Sequence, residues 1–400
     1  MDPVSRLALS VAIILAIAKI GGELAVRLRQ PSVLGEMLAG VVLGAISGPF
    51  VDGLRDDPSV DMLARLGVLV LLFEVGLEST VADVLRVGFA SARVAVLGTI
   101  GTLVFGWAAA AIAMPDSSTL VHLFVASAIT ATSIGISARV LKDAGVARSR
   151  EAHTILSAAV LDDILGLVAL AIVTGAVTRS ARTGAITSAA VIWLVAKTVG
   201  FLTLAIVAGV KLSPALFRLT ARLRTSGALL ATALSFCFVL AWASNAIGLA
   251  PIVGAFTAGL ILDDSHSARF VARGEASLSN RLEPISSWLV PIFFVLMGMR
   301  ASFGALVHPR TLLLVGLLST AAVVGKLACA LGAPRGTNRL AVAIGMIPRG
   351  EVSLVFASLG LSMGLLDAGQ YSALVSVVVV TTLVTPAGLR ASLRPSGSAA

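Results

Sequence analysis

Two adjacent carboxylates, Asp162 and Asp163, stand in the middle of residues 151–175, a run otherwise fit to span a bilayer. Ionisable groups at membrane depth are costly and mark functional sites by default. Apolar-biased residues flank the pair on both sides, and aspartate is too short to reach an interface from there. Successive positions on a helix project about 100° apart, so the two acids can serve different ends. One can pair with a cation while the other faces a water-filled cavity. Lys326, alone inside Val323-Val-Gly-Lys326-Leu-Ala-Cys, is the natural partner, because a lysine at that depth needs a carboxylate. Close acids titrate as a coupled pair. An acid so placed can hold a proton or a small cation but not both comfortably, and that competition is what an exchanger needs.

Two further stretches belong with the acids. Thr130-Ala-Thr132-Ser133-Ile-Gly135-Ile-Ser137 puts polar, β-branched and glycine residues at mid-membrane. Met346-Ile-Pro348-Arg349-Gly350-Glu351 carries a proline and a glycine that must disturb the helical ladder. Unwound backbone is tolerated in a bilayer only where protein or a water-filled cavity surrounds it, and paired breaks point to a transport site. Thr132, Ser133 and freed carbonyls, with Thr130 beside them, can complete an oxygen shell for a small hard cation. Pro348, Arg349 and Glu351 support the other break, the two charges balancing opposed half-helix dipoles.

The elements that must position these groups are membrane helices. The chain has 400 residues, 57% hydrophobic and 13% charged, with a mean hydropathy of +1.00. That excludes the soluble class. Runs of about 17–25 apolar residues are spanning candidates, and thirteen occur, near 6–26, 32–50, 63–79, 87–113, 120–138, 153–177, 186–210, 226–246, 249–262, 284–300, 310–333, 339–364 and 370–389. With the N-terminus outside, eighteen basic loop residues face the cytoplasm and seven face out, a positive-inside bias. The C-terminus is then cytoplasmic.

The chain also repeats itself. Gly35-Glu-Met-Leu-Ala39-Gly40-Val-Val-Leu43 resembles Gly254-Ala-Phe-Thr-Ala258-Gly259-Leu-Ile-Leu262, an offset of 254 − 35 = 219. Leu71-Leu-Phe-Glu-Val-Gly76-Leu resembles Phe293-Phe-Val-Leu-Met-Gly298-Met, an offset of 298 − 76 = 222. The two breaks fit the same spacing, 349 − 132 = 217. Segments 2–6 and 9–13 therefore read as inverted five-helix repeats, with segments 5 and 12 broken and crossed near the midplane.

Other features carry less. The net charge of +9 sits in short loops between apolar runs, which suits anionic lipid and excludes nucleic acid as a partner. Cys237 and Cys329 lie inside apolar runs and suggest neither a disulfide nor a metal site. The four histidines are scattered, and no cofactor is indicated. The first apolar run is too long for a signal-peptide core and reads as a retained helix. Lys19 and Glu23, four residues apart, can pair. Gly40, Gly44 and Gly48 allow close helix approach, at a dimer seam or within one protomer. Glu74 either meets a structural partner or stands at a pathway entrance. The charged stretch Asp263–Glu283 reads as an interfacial amphipathic segment.

Several of these stretches carry a resemblance. Leu161-Asp-Asp-Ile-Leu-Gly, Thr130-Ala-Thr-Ser, Pro31-Ser-Val-Leu-Gly-Glu-Met-Leu-Ala-Gly, Val290-Pro-Ile-Phe-Phe-Val-Leu-Met-Gly and Ile347-Pro-Arg-Gly-Glu resemble the sodium(potassium)/proton antiporters of the second cation:proton antiporter family. The resemblance implies a homodimer in the inner cell membrane, with a dimerisation part (about 1–80 and 226–300) and a core that moves like an elevator (about 87–177 and 310–389). A linker helix would lie near 186–210. It also implies that Asp163 binds Na+ or K+ (Li+ as a further ion) in exchange for H+, that Asp162 pairs with Lys326, and that exchange is electrogenic. The chain stops soon after Pro395, so no attached cytoplasmic regulatory domain is expected. Sodium is the favoured ion and potassium the alternative.

Two other classes fit less well. An intramembrane aspartyl protease needs its acids on opposing helices, sharing a proton across the peptide bond; adjacent aspartates on one helix cannot do this, and no enzyme is expected. A cation channel would be opposed by a lysine beside the acids, and no filter-like carbonyl run is present.

Overall fold

The structure is a computed structural model that describes residues 2–28, 30–46, 48–78, 88–143, 146, 149–183, 188–220, 227–262, 277–301 and 308–393. Among the described residues all regular structure is helical. The helices are α1 (Pro3–Arg27), α2 (Ser32–Ala45), α3 (Pro49–Arg55), α4 (Pro58–Glu78), α5 (Phe89–Ala113), α6 (Thr119–Ala128), α7 (Ile134–Asp143), α8 (Arg150–Thr183) and α9 (Ser188–Thr220). They continue with α10 (Ala228–Ala246), α11 (Pro251–Ile261), α12 (Leu278–Arg300), α13 (Pro309–Leu327), α14 (Cys329–Gly332), α15 (Arg339–Gly345), α16 (Glu351–Ser362) and α17 (Ala368–Leu393). Among the described residues eight stretches are long and apolar enough to cross a membrane: α1, α5, α8, α9, α10, α12, α13 with α14, and α17. The shorter apolar helices are α2, α6, α11 and α16. The chain is a multi-span membrane protein.

The segments read from the sequence overlap the described helices or interrupted pairs, but several boundaries move. The segment expected over 32–50 stops at Ala45, and α3 begins at Pro49. A proline ring disfavours helical backbone in the residue before it, and Gly48 is extended, with φ 169°. α8 and α9 run to 34 and 33 residues, because their polar ends continue the helix beyond the apolar stretch that hydropathy detects. The charged stretch read as interfacial lies outside the described residues up to residue 276. Its end, from Leu278, forms the first turns of α12.

The chain divides into two compact units. The first comprises Met1–Val26, Gly35–Leu85 and Thr174–Met299. Within it the repeated glycines make equivalent crossings. A Cβ on Gly40 would collide with the Val295 carbonyl, and one on Gly298 with the Met37 carbonyl. In the second pair, Gly259 abuts the Phe73 carbonyl and Gly76 the Phe256 carbonyl. So α2 crosses α12 as α11 crosses α4, residue for residue at offsets of 219 and 222. Backbones that touch this closely gain the dispersion contacts that hold helices together in lipid, where no hydrophobic drive acts. Gly44 abuts Met299 of α12, whereas a Cβ on Gly48 would meet nothing; the Gly40–Gly44 stripe therefore packs within the protomer. In the same unit Lys19 Nζ donates to the Ser287 carbonyl at 3.2 Å. Pro291, four residues on, has no N–H to offer that oxygen, so the lysine replaces the missing donor. The reading of Lys19 as a partner of Glu23 did not include this role.

The second unit comprises Arg27–Leu34, Arg86–Val173 and Arg300–Ala400. Its α5 and α13 cross through Gly101, Thr102 and Gly325, whose backbones leave no room for a Cβ at either glycine. This unit holds the whole candidate site.

Candidate ion-binding site

Both expected breaks are present. α6 ends at Ala128 and α7 starts at Ile134; α15 ends at Gly345 and α16 starts at Glu351. The entering half-helices start alike. The Ser118 side chain accepts from Val121 N, and the Asn338 side chain accepts from Ala341 N, the repeat offset again, 338 − 118 = 220. Each cap satisfies a first-turn N–H that has no partner within its helix.

The breaks meet each other through backbone polar groups. Ser133 N donates to the Pro348 carbonyl at 2.9 Å, Thr132 Oγ1 to the Met346 carbonyl at 2.9 Å and Ser137 Oγ to the Gly345 carbonyl at 2.7 Å. Gly350 is required beside them, since a Cβ there would press on Ser133. Buried backbone groups must find partners, and here each break supplies what the other has lost.

Arg349 is completely buried and is spent on the same account. Its Nη1 donates to the Met346 and Ile347 carbonyls at 3.1 and 2.9 Å, and its Nη2 to the Ala322 carbonyl at 3.3 Å. A permanent cation thus sits at the carbonyl end of α15. Glu351 is the first residue of α16 and accepts from Ser133 Oγ at 3.4 Å. Thr130 Oγ1 donates back to the Ala126 carbonyl of α6 at 2.8 Å, so its proton is committed and only its lone pairs remain.

α8 brings the acids to this place. Gly166, one turn beyond the pair, lies against Ala131 of the first break. Asp162 and Asp163 are 0% and 2% exposed. Asp162 Oδ1 receives Lys326 Nζ at 2.6 Å and Thr99 Oγ1 at 2.8 Å. Both donors fall on one oxygen, and among the described residues nothing donates to Asp162 Oδ2. Lys326 itself is fully buried. Truncating one member of such a pair leaves an uncompensated charge in a medium that cannot hydrate it. Thr99 was not anticipated, because a lone threonine in an apolar helix gives no sequence signal. Only its flanking glycine, Gly98, which lets Lys326 and Cys329 close on α5, hints at crowding there.

Chemically, the arrangement offers two buried carboxylates, Asp162 paired with Lys326 and hydrogen-bonded by Thr99, on a helix that packs against the first break. Among the described residues no group of three His, Cys, Asp or Glu side chains is set to hold a metal ion. Carboxylate and hydroxyl oxygens are hard donors, of the class that hard cations take.

Comparison with known proteins agrees with that chemistry. Residues 12–394 match the model of the transmembrane sodium/hydrogen exchanger family. The chain is 35% identical to a high-affinity Na(+)/H(+) antiporter, NhaS3, of Synechocystis sp., over 96% of this chain and 89% of the relative. It is 33% identical to the Na(+)/H(+)-K(+) antiporter GerN of Bacillus cereus, over 95% and 94%. The fold is similar to that of the sodium proton antiporter MjNhaP1 from Methanocaldococcus jannaschii, with a TM-score of 0.69 over 98% of this chain and 97% of the other, at 17% identity.

Proposed function

Since the chain belongs to the sodium/hydrogen exchanger family, we propose that it exchanges sodium for protons at Asp163, whose carboxylate takes the two ions in turn. The protein is a secondary transporter and not an enzyme. The observation that carries the assignment to Asp163 is the occupancy of its neighbour. Asp162 Oδ1 is taken by both Lys326 and Thr99, so Asp162 acts as the fixed counter-charge. Asp163, buried on the same turn of α8 and one turn before Gly166, which lies against Ala131 of the first break, acts as the carrier. Asp162, Thr130, Thr132, Ser133 and freed carbonyls complete the ion's surroundings, with Lys326 as the pair partner. Pro348, Arg349 and Glu351 hold the second break in shape.

The unit that holds the site is the transport core, and the other unit forms the dimerisation part of a homodimer. The positive-inside bias supports an N-terminus outside and a C-terminus in the cytoplasm of an inner cell membrane. Sodium is favoured over potassium because a sodium-specific name attaches to the 35% identical relative. Potassium is the second reading, because the 33% identical relative is named for both ions.

Purified protein in proteoliposomes, with an internal pH dye and an imposed proton gradient, tests this. Sodium or lithium should dissipate the gradient at concentrations where potassium does little. Equal or better dissipation by potassium would replace the sodium reading with the second one, and no response to any of the three would overturn exchange.

A further inference from the structure

One end of the second unit carries a set of arginines that the exchange site does not use. We propose that this end, around Arg93 and Arg335, binds the headgroup phosphate of an anionic phospholipid whose acyl chain lies along the outer face of α5. Such a site is independent of which ion is exchanged.

Arg93 is exposed near the start of α5. Its guanidinium carbon lies 5.3 Å from the centre of the Phe89 ring, one turn earlier, and its Nη2 donates to the Gly332 carbonyl of α14 at 3.4 Å. The ring and the carbonyl hold the guanidinium in place, and Gly332 takes one of its five donors. Phe89, Arg93, Val96, Ile100 and Val104 follow one another at helical steps of four, three, four and four, so they share one face. That face lies opposite the buried Val94, Ala95, Gly98 and Thr102, and its four apolar members are all exposed. An arginine thus stands at the head of an apolar stripe that runs along a membrane helix.

The neighbouring turn adds a second base. Between α14 and α15 the chain doubles back: Thr337 Oγ1 and N both donate to the Pro334 carbonyl, at 2.8 and 3.4 Å. Gly336 takes a φ of 81° there, which glycine adopts without strain. Arg335 is exposed at the tip of this turn, three residues after the Gly332 that receives Arg93. Arg150 opens α8 and Arg339 opens α15, and both are exposed. Asn338 N donates to Glu151 Oε1 at 2.9 Å, which brings these two helix starts together. Glu151 is the acid of this end among the described side chains, and that bond engages it. The unit's other described acids lie elsewhere. Asp162, Asp163 and Glu351 belong to the site, and Asp116 follows the far end of α5. Asp367 precedes α17, whose opposite end, at the Ser392 carbonyl, accepts from Asn338 Nδ2 at 2.7 Å.

Four exposed arginines, one engaged acid and an apolar stripe match an anion that carries hydrocarbon. Guanidinium forks bind phosphate through paired hydrogen bonds, and anionic headgroups attract bases at the membrane surface. A soluble phosphate would use the arginines and leave the stripe bare. On the orientation proposed above, this end faces the cytoplasmic leaflet. A phosphate shared by Arg93 and Arg335 ties the start of α5 to the turn that leads into α15, and so to the second break.

The test is a lipid titration of the purified protein in detergent, read by thermal melting. Phosphatidylglycerol should raise the melting temperature where phosphatidylcholine at the same concentration does little. Arg93→Gln with Arg335→Gln should raise the half-maximal phosphatidylglycerol concentration roughly 25-fold, about fivefold for each arginine. Lys211→Gln with Arg218→Gln removes the same charge from α9 of the first unit and should leave that concentration unchanged. Arg335→Gln alone, at an exposed turn, serves with its fivefold shift if the double variant does not fold. Glycerophosphoglycerol, the same headgroup without chains, should have no effect where the lipid saturates. A wild type that does not prefer phosphatidylglycerol overturns the inference, and so does an unshifted titration in the Arg93 and Arg335 variants. An equal loss in the α9 variant would mean diffuse surface charge, and equal stabilisation by glycerophosphoglycerol would mean a soluble-phosphate site; either result also overturns it.

Discussion

At the scale of single residues, the site is an exercise in matching buried charge. Lys326 is fully buried and meets Asp162 at 2.6 Å, and Arg349 is fully buried and held by three carbonyl oxygens. That a lysine at such depth needs an acid was readable from the sequence. Which oxygen it takes, and that Thr99 shares it, was not, because the α5–α13 crossing that delivers Thr99 is set by backbone contact and not by any polar pattern. Likewise Arg349 reads in the sequence as a charge that balances half-helix dipoles, and which oxygens its guanidinium takes, Met346 and Ile347 at the end of α15 and Ala322 of α13, was not readable. Lys326→Ala should lower thermal stability in detergent at neutral pH by an amount equivalent to roughly 3–5 kcal/mol, since Asp162 keeps its charge and loses the lysine. A melting curve that superimposes on wild type would show that the pair contributes nothing to stability.

Elements are positioned by glycine crossings in both units, and by interruption as well in the second. The repeated motifs around Gly40, Gly76, Gly259 and Gly298 were visible in the sequence as similarity, and the structure shows why they repeat: each helix crossing needs one glycine on each side. Sequence alone left the Gly40–Gly44 stripe open between a dimer seam and the protomer interior, because small residues look the same in either place. Helix ends were the least legible feature. Hydropathy follows the apolar stretch, whereas α8 and α9 continue past it, α9 with Phe217 and Thr220 buried in its last turns. Gly40→Ala and Gly259→Ala should each destabilise the protein, by at least the roughly 1–3 kcal/mol of ordinary overpacking, because the new methyl meets a carbonyl that cannot move aside. The two effects should be of similar size, since the crossings are equivalent. Gly316→Ala, where a Cβ meets nothing, should be neutral or gain up to about 1 kcal/mol from helix propensity. Thermal melts of the three purified variants check this, and a tolerated Gly259→Ala beside a damaging Gly40→Ala would break the equivalence.

For the whole molecule, the repeat raises the question of whether there are two sites or one. The counterpart of the aspartate pair, near 163 + 219 = 382, is Thr381-Thr382, and both hydroxyls are engaged with backbone. Thr381 Oγ1 donates to the Val377 carbonyl at 2.8 Å, and Thr382 Oγ1 to the Arg349 carbonyl at 2.8 Å. Neither can exchange a proton near neutral pH, and the break beside them already holds the Arg349 guanidinium. On the reading proposed above, the second repeat gives structure where the first gives chemistry, and one acidic site per protomer would serve both sides of the membrane by alternating exposure. Two consequences can be measured together. Asp163→Asn keeps the shape and most of the hydrogen-bonding capacity of the side chain but cannot ionise, so it should abolish sodium-driven proton movement while the protein still folds and assembles as wild type. If proton and sodium compete for that carboxylate in the wild type, apparent sodium affinity should rise with pH, by about tenfold per unit while the acid is protonated. The rise should level off once the acid is fully deprotonated. Sodium binding measured by calorimetry between pH 6 and 9 reads the slope, and dye-reported exchange reads the variant. A sodium affinity flat across that range, or brisk exchange by Asp163→Asn, would require a second carrier group that the threonine pair cannot provide.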